Sequence, residues 1–166
     1  MFQAWGVGVT AALLAGSALA QGIDYSRFQR STLDALGANL AAGVAKDKGH
    51  TPQVGDRAFD AALSGWVIEV SYAGAQRPMS GEETAFVRDG FRSVQQEPLA
   101  ALYEQSMLFQ VNKKDYWLPV PSAVLPYFTK ELKPGEKIDL YVLQSGGVLQ
   151  KDGWEWLFLV MDFKKP

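Results

Sequence analysis

The chain has 166 residues, of which 16 are basic and 18 acidic, and it contains no cysteine. This small negative net charge argues against nucleic-acid binding, which relies on a surplus of Lys and Arg. The lack of cysteine excludes disulfides, thiol nucleophiles, iron–sulfur clusters and thiolate zinc sites. We therefore expect a fold that is held together by packing alone and that needs no cofactor or metal. Nine Phe, six Tyr and five Trp supply apolar surface for such packing.

The first twenty residues carry no ionised side chain and end in a small-x-small triplet at 18–20. Together with the apolar stretch 7–15, this pattern predicts a secretory signal peptide over 1–20, cleaved before Gln21. The stretch is shorter than the roughly 20 residues that span a bilayer, and charged residues follow from Asp24, so we expect no stable membrane anchor after cleavage. The sequence thus predicts a periplasmic or secreted protein.

The segment from Asp24 to Lys46 has apolar residues near helical spacing, which predicts one amphipathic helix with Asp24 or Ser26 as its N-cap. The apolar positions are Phe28, Leu33, Leu36, Leu40 and Val44. If this helix docked on a larger assembly, the first four of these side chains would be exposed in the monomer; otherwise the helix covers its own core. A polar run over 46–56 predicts a linker. The expected division is a helix and linker at 21–56 and a main domain at 57–166, which together form one folding unit.

Alternating apolar residues predict strands in the main domain, and changes of period predict the helices between them. The strands are expected at 65–74, 107–111, 116–120, 137–144 and 153–163. Helical turns are expected after Ser80 and from Pro98, and a short helix over 122–132. Residues 58–63 fit either a helix or a strand. Gly146 and Gly147 predict a bulge or an early strand end.

This order of elements resembles that of OB-type barrels, in which a helix between the third and fourth strands plugs one end. Val124, Tyr127 and Phe128 would supply the plug here. The resemblance covers about 65–163 and concerns element order only. An SH3-like barrel, or an α+β sheet with helices on one face, explains the same pattern. The expected class is α+β: a small five-stranded antiparallel OB-like or SH3-like β-barrel, with an N-terminal amphipathic helix and short helices between strands one and two and between strands three and four.

Residues suited to catalysis are few. His50 is the single histidine, and its polar loop would not hold a general base in place. No G-x-S-x-G nucleophile elbow occurs. The remaining candidates are carboxylates, with Glu69 and Glu155 as the pair that would serve a small hydrolase acting on cell-envelope glycans. Solvated strand faces are the simpler explanation of these carboxylates, and we favour it over catalysis.

Aromatic residues suggest a different function. The last predicted strand is apolar on both faces and so needs two covers, one of them the barrel interior and the other the helices. If part of this surface is open instead, Trp117, Tyr141 and Trp154 form a stacking platform beside Gln144, Gly146 and Gly147. The sequence therefore predicts a non-enzymatic binding or accessory protein for a protein or glycan partner of the cell envelope, with the carboxylate-dependent hydrolase as the alternative.

Overall fold

The computed structural model describes residues 24–46, 51–59 and 64–166, without the side chains of residues 45, 46, 144 and 145. The predicted signal peptide and His50 lie outside this description. The described elements are β1 Gln29–Ser31, α1 Leu33–Lys46, β2 Arg57–Phe59, β3 Gly65–Pro78, α2 Gly81–Ser93, β4 Tyr103–Val111, β5 Lys114–Pro121, α3 Leu125–Glu131, β6 Lys137–Gln150 and β7 Gly153–Lys164. Two 3₁₀ turns, Tyr25–Arg27 and Glu97–Leu102, precede β1 and β4.

The five long strands form one antiparallel sheet in the order β5-β4-β3-β6-β7. The short β1 pairs in parallel with the start of β3, and the short β2 pairs with the second half of β6. In the described part of the chain no ladder joins β5 to β7, so the sheet is open. The expected combination of helices with an antiparallel sheet is confirmed, whereas a closed five-stranded barrel is not, because the two end strands do not pair.

Both faces of the sheet are covered by apolar side chains. On one face, α1 and α3 pack against the strands, and Leu36, Phe128, Phe158 and Val160 belong to this larger cluster. On the other face, α2 and the turn before β4 pack against the sheet around Leu159. Cover on both faces, as expected for β7, is found in the second half of the strand, at Phe158, Leu159 and Val160. Each cover removes apolar surface from water, which stabilises the fold by about 25 cal/mol for each Å² buried.

The predicted helix from Asp24 to Lys46 is wrong in its first third. Asp24 instead caps the 3₁₀ turn, where its carboxylate accepts a hydrogen bond from the Ser26 N–H at 3.1 Å. The next residues add to the free edge of β3 as β1, since that edge offers backbone partners that a helix would leave unused. Helix α1 begins only after Thr32, whose Oγ1 accepts from the Ala35 N–H at 3.2 Å.

Two leucines of α1 decide what the helix covers. Leu33 is 3% exposed and Leu36 is fully buried in the larger core cluster. A helix that docks on a partner protein would leave these leucines exposed in the monomer. The helix is therefore a cover for its own sheet.

The central elements follow the sequence pattern closely. Ser80 and Glu83 form a reciprocal capping box at the start of α2, with the Glu83 N–H donating to Ser80 Oγ at 3.1 Å. The hairpin between β4 and β5 turns through Asn112 and Lys113, both at positive φ as a tight two-residue turn demands. The glycine pair of β6 makes a bulge at Gly146 and the strand continues beyond it, so β6 is longer than expected.

Candidate functional site

A groove of about 610 Å³ opens between the first halves of β5 and β7. We call it the seam groove. One of its walls comes from α1 together with Trp154 and Trp156 of β7, and the other comes from the start of α2 together with Arg77 and Trp117. The groove lies where the sheet fails to close, so open edges of two strands border it.

The two end strands diverge from one end to the other. Four antiparallel pairings separate β5 from β7 in the sheet, so the two strands run in the same direction. Tyr103 is the β4 residue paired with Pro121 at the end of β5, and its buried hydroxyl donates a hydrogen bond to the Val160 carbonyl of β7 at 3.2 Å. Pro119 and Pro121 of β5 have no N–H to offer at that end. A side chain therefore closes the seam there, and the first halves of the strands remain apart.

The wall on the α1 side is a pair of stacked indoles. The rings of Trp154 and Trp156 are 4.9 Å apart with an interplanar angle of 12°. Trp156 lies between two glycines, because a Cβ on Gly37 would lie 2.6 Å from its Cδ1 and a Cβ on Gly147 would lie 2.3 Å from its Cε3. Both glycines leave room for the Trp156 ring, which is the surface on which Trp154 stacks.

The wall on the α2 side is organised around Glu83. Its carboxylate accepts two hydrogen bonds from the Arg77 guanidinium, at 3.0 and 2.9 Å, and a third from the fully buried Ser106 hydroxyl at 3.2 Å. The Arg77 guanidinium carbon lies 4.8 Å from the centre of the Trp117 ring. This is a cation–π contact, so the capping box of α2 also fixes an aromatic surface in the groove.

The groove is acidic. Asp34, Glu82, Asp115 and Glu155 line it, and none of them forms an ion pair with another described residue. Among the described lining residues, the single cation apart from the paired Arg77 is Lys114, whose ammonium lies 5.1 Å from the centre of the Tyr116 ring. The lining therefore carries an excess of negative charge.

Tyr116 connects this groove to α1. Its hydroxyl donates to Asp34 Oδ1 at 3.2 Å, and partial burial raises the pKa of the phenol. The hydroxyl stays protonated at neutral pH and can hold the carboxylate in place.

The predicted platform residues are divided between two places. Trp117 and Trp154 both line the seam groove, on opposite walls. Tyr141 lies outside it, against Tyr25 and Phe28, with ring centres 4.3 and 5.8 Å away. The Tyr25 hydroxyl donates to Asp162 at 3.2 Å, and burial raises the pKa of Tyr25. We call Tyr25, Phe28 and Tyr141 the N-terminal aromatic cluster; it attaches the start of the described chain to the sheet.

The remaining predicted site positions belong to β6. Gly146 lies under β2, where a Cβ would come within 2.0 Å of the Ala58 carbonyl oxygen, and Gly147 lies under Trp156. The backbone of Gln144 lies opposite Phe158 in the sheet. The two glycines are thus explained by close packing, and Gly147 contributes to the groove by supporting one of its indoles.

The two carboxylates considered for hydrolysis lie far apart along β6. Glu69 is opposite Asp139, where it forms an ion pair with Lys137 at 3.0 Å, while Glu155 is opposite Val148. Nine residues of strand separate these positions, which is about 30 Å at roughly 3.3 Å per residue. Glycosidase carboxylates lie about 5–9.5 Å apart. This geometry does not favour Glu69 and Glu155 as a catalytic pair.

The sequence reasoning missed most of the polar residues of the groove. Arg77, Asp34 and Tyr116 come from three distant segments, and no local pattern links them. Glu83 had a signal, because Ser-x-x-Glu before an apolar run predicts a capping box, but that pattern does not show the contact with Arg77.

No family model matches the chain, and neither a curated protein nor a solved structure matches it. None of the described helices is long and apolar enough to cross a membrane. The described residues also contain no group of three carboxylates or histidines placed to hold a metal ion.

Proposed function

We propose that this protein is a binding module, and that its seam groove takes an extended segment of a protein or glycan partner. The observation that carries the proposal is the pair of facing aromatic surfaces, Trp117 on one wall and the Trp154–Trp156 stack on the other. Concave sites with apolar walls and a few convergent polar groups are the usual form of ligand sites. Aromatic rings with exposed faces can stack on a sugar ring or on an apolar side chain.

The order of the long strands supports an OB-like interpretation of the fold. In OB-type barrels, ligands lie over the second and third strands, between the loops that follow the first and fourth. The corresponding elements here are β4 and β5, the α2 segment after β3, and the turn between β6 and β7. The start of α2, β5 and the start of β7 all border the seam groove. The proposed site and the proposed fold type thus support each other.

A binding role is also more consistent with the carboxylates than hydrolysis is. The proposed hydrolase would need two carboxyl groups near one bond, and Glu69 and Glu155 are separated by most of β6. The groove carboxylate that contacts serines is Glu83, and its charge is paired with Arg77. Its two serine partners have structural roles, since Ser80 caps α2 and Ser106 is fully buried.

Two defined panels test the proposal: a displayed library of random extended peptides and an array of envelope-type oligosaccharides. The purified protein is compared with Trp154→Ala and with Tyr127→Ala. Tyr127 is a matched control because it is an aromatic residue, 52% exposed, on α3 and outside the groove. We expect a class of ligand that the wild type and Tyr127→Ala both retain and that Trp154→Ala binds at least tenfold more weakly.

Two results would contradict the proposal. One is that neither panel yields a ligand at concentrations up to about a millimolar, a very weak affinity for any specific site. The other is that ligands are found and the two variants bind them equally, which would place the site elsewhere on the molecule.

Export to the periplasm or the medium is part of the same proposal. It is supported by the apolar N-terminus and the small-residue triplet before Gln21. Intact mass measurement of protein from the envelope fraction should give a chain that starts at Gln21. A mass that includes Met1 would contradict export by cleavage.

A further inference from the structure

The borders of the seam groove are unpaired strand edges. Within the described chain, β5 pairs only with β4 and β7 only with β6, so each has one edge without a ladder. On such an edge, alternate residues direct their N–H and C=O groups outward. The prolines of β5 are confined to its closed end, so residues 114–118 keep every N–H group. Residues 153–157 of β7 contain no proline either.

Exposed strand edges are sites for strand addition, and proteins usually cover or blunt them. Here the covered part is the end closed by Tyr103 and the prolines, whereas the part beside the groove is open. A peptide strand placed there would find backbone partners on both sides. Since β5 and β7 run in the same direction, one inserted strand can be antiparallel to both.

The charges of the groove indicate the kind of peptide. On the α1 side lie Asp34 and the indole of Trp154; on the α2 side lie Glu82, Glu155 and the indole of Trp117. Successive side chains of a strand point to opposite faces, so an inserted peptide directs alternate residues to the two walls. Both walls carry a carboxylate and an aromatic ring, the combination that binds Lys or Arg side chains through charge and cation–π contact. The Arg77 guanidinium already makes this kind of contact with Trp117, so a peptide would use the carboxylates of both walls and the indole of Trp154.

We infer that the seam groove binds a basic segment of a partner protein as an added β-strand between β5 and β7. This inference rests on the proposed function and narrows it from a protein or glycan ligand to a basic extended peptide. Backbone hydrogen bonds to the two edges provide the register, and the acidic walls select Lys and Arg side chains.

The test uses the full purified protein and a capped, fluorescently labelled octapeptide in which pairs of valines alternate with pairs of lysines, so that both faces of the strand carry lysines. Two control peptides are matched to it: one has glutamate in place of lysine, and one has the same sequence with methyl groups on alternate backbone nitrogens. Anisotropy titrations should show that the basic peptide binds at least tenfold more tightly than either control. The methylated peptide keeps the charge and loses its N–H donors to one of the two strand edges, so it separates strand addition from simple ionic attraction.

Two protein variants with the same change of charge complete the test. Glu155→Lys places a positive charge in the groove and should weaken binding of the basic peptide at least tenfold. Glu131→Lys changes the exposed end of α3, outside the groove, and should leave the affinity within about twofold. Equal weakening by both variants would overturn the inference, because only the net charge of the protein would then matter.

The outcomes separate this inference from the function on which it rests. Equal binding of the methylated and unmethylated peptides would exclude strand addition. If an oligosaccharide binds and requires Trp154 while the basic peptide does not bind, the binding function stands and the peptide inference fails. If neither binds, both are contradicted.

Discussion

The two groups of aromatic residues on this sheet differ in what covers them. In the N-terminal aromatic cluster, the rings of Tyr25 and Phe28 pack on Tyr141, and a hydrogen bond to Asp162 fixes the arrangement. In the seam groove, Trp117 packs on Arg77 and Trp154 on Trp156, and both rings also line a cavity. The residue types are similar, and the sequence alone suggested one shared platform. The two groups differ in their neighbours. Tyr25 and Phe28 pack on Tyr141, whereas no described segment fills the groove between Trp117 and Trp154.

This comparison predicts that changes in the groove affect binding, whereas changes in the N-terminal aromatic cluster affect only stability. The strongest effect on both properties is expected at Trp156, which supports Trp154 and also packs against the core. Trp156→Ala should lower the free energy of unfolding by about 3 kcal/mol, the lower end for a Trp-to-Ala change since the ring is half-buried. Urea unfolding measures this loss. An unchanged midpoint would show that the ring does not support the groove.

Substitutions in the N-terminal aromatic cluster should lower stability and leave ligand affinity unchanged. Phe28 packs against Gly65, where its ring would come within 2.8 Å of an added Cβ. Phe28→Ala should cost about 2 kcal/mol in the free energy of unfolding, less than full burial would give. Affinity for the ligand at a temperature where the variant is folded should not change. Weaker binding would mean that the two aromatic regions are coupled.

At the closed end of the seam, the Tyr103 hydroxyl contacts two groups of β7, the Val160 carbonyl at 3.2 Å and the Met161 sulfur at 3.3 Å. Tyr103→Phe removes the hydroxyl that donates to the Val160 carbonyl and leaves that oxygen without this donor in a buried place. The expected loss in the free energy of unfolding is about 1 kcal/mol. Amide hydrogen exchange should become faster in the last residues of β5 and β7 and stay unchanged in β6. If exchange in β5, β6 and β7 became faster by the same factor, the hydrogen bond would not be a local closure.

The smallest effect on stability is expected at Trp117. Its ring faces Arg77 and the groove, so Trp117→Ala should cost less than about 1 kcal/mol, while ligand affinity falls about tenfold. Thermal unfolding and a titration with the best ligand of either panel measure the two quantities. A large loss of stability with intact binding would make Trp117 a core residue.

Local patterns predicted much of this fold. The alternation in β3 and β5, the apolar run of β7 and the helix start at Ser80 gave the correct elements, because each depends on neighbours in sequence. The first helix was extended too far, since nothing local shows that Gln29–Ser31 would meet the edge of β3. Closure of a sheet is likewise a long-range property, and the spacing of strands does not reveal whether the end strands pair.

The candidate site was predictable only in part, for the same reason. Trp117 and Trp154 were recognised as a surplus of aromatic residues, and they do line one groove. Tyr141 was grouped with them by residue type and lies in the other cluster, because its place depends on where Tyr25 and Phe28 pack. The acidic lining arises from helix, hairpin and strand residues that only the folded chain brings together.

The central claim is that ligands bind in the seam groove, and amide NMR mapping tests it most directly. The isotope-labelled protein is titrated with the tightest ligand from the panels, and shift changes are followed for each residue. We predict that the largest changes lie at residues 114–118 and 153–157, with those around Tyr25 and Tyr141 unchanged. Shift changes centred on the N-terminal aromatic cluster, with no shift changes at the groove residues, would contradict this account of the site.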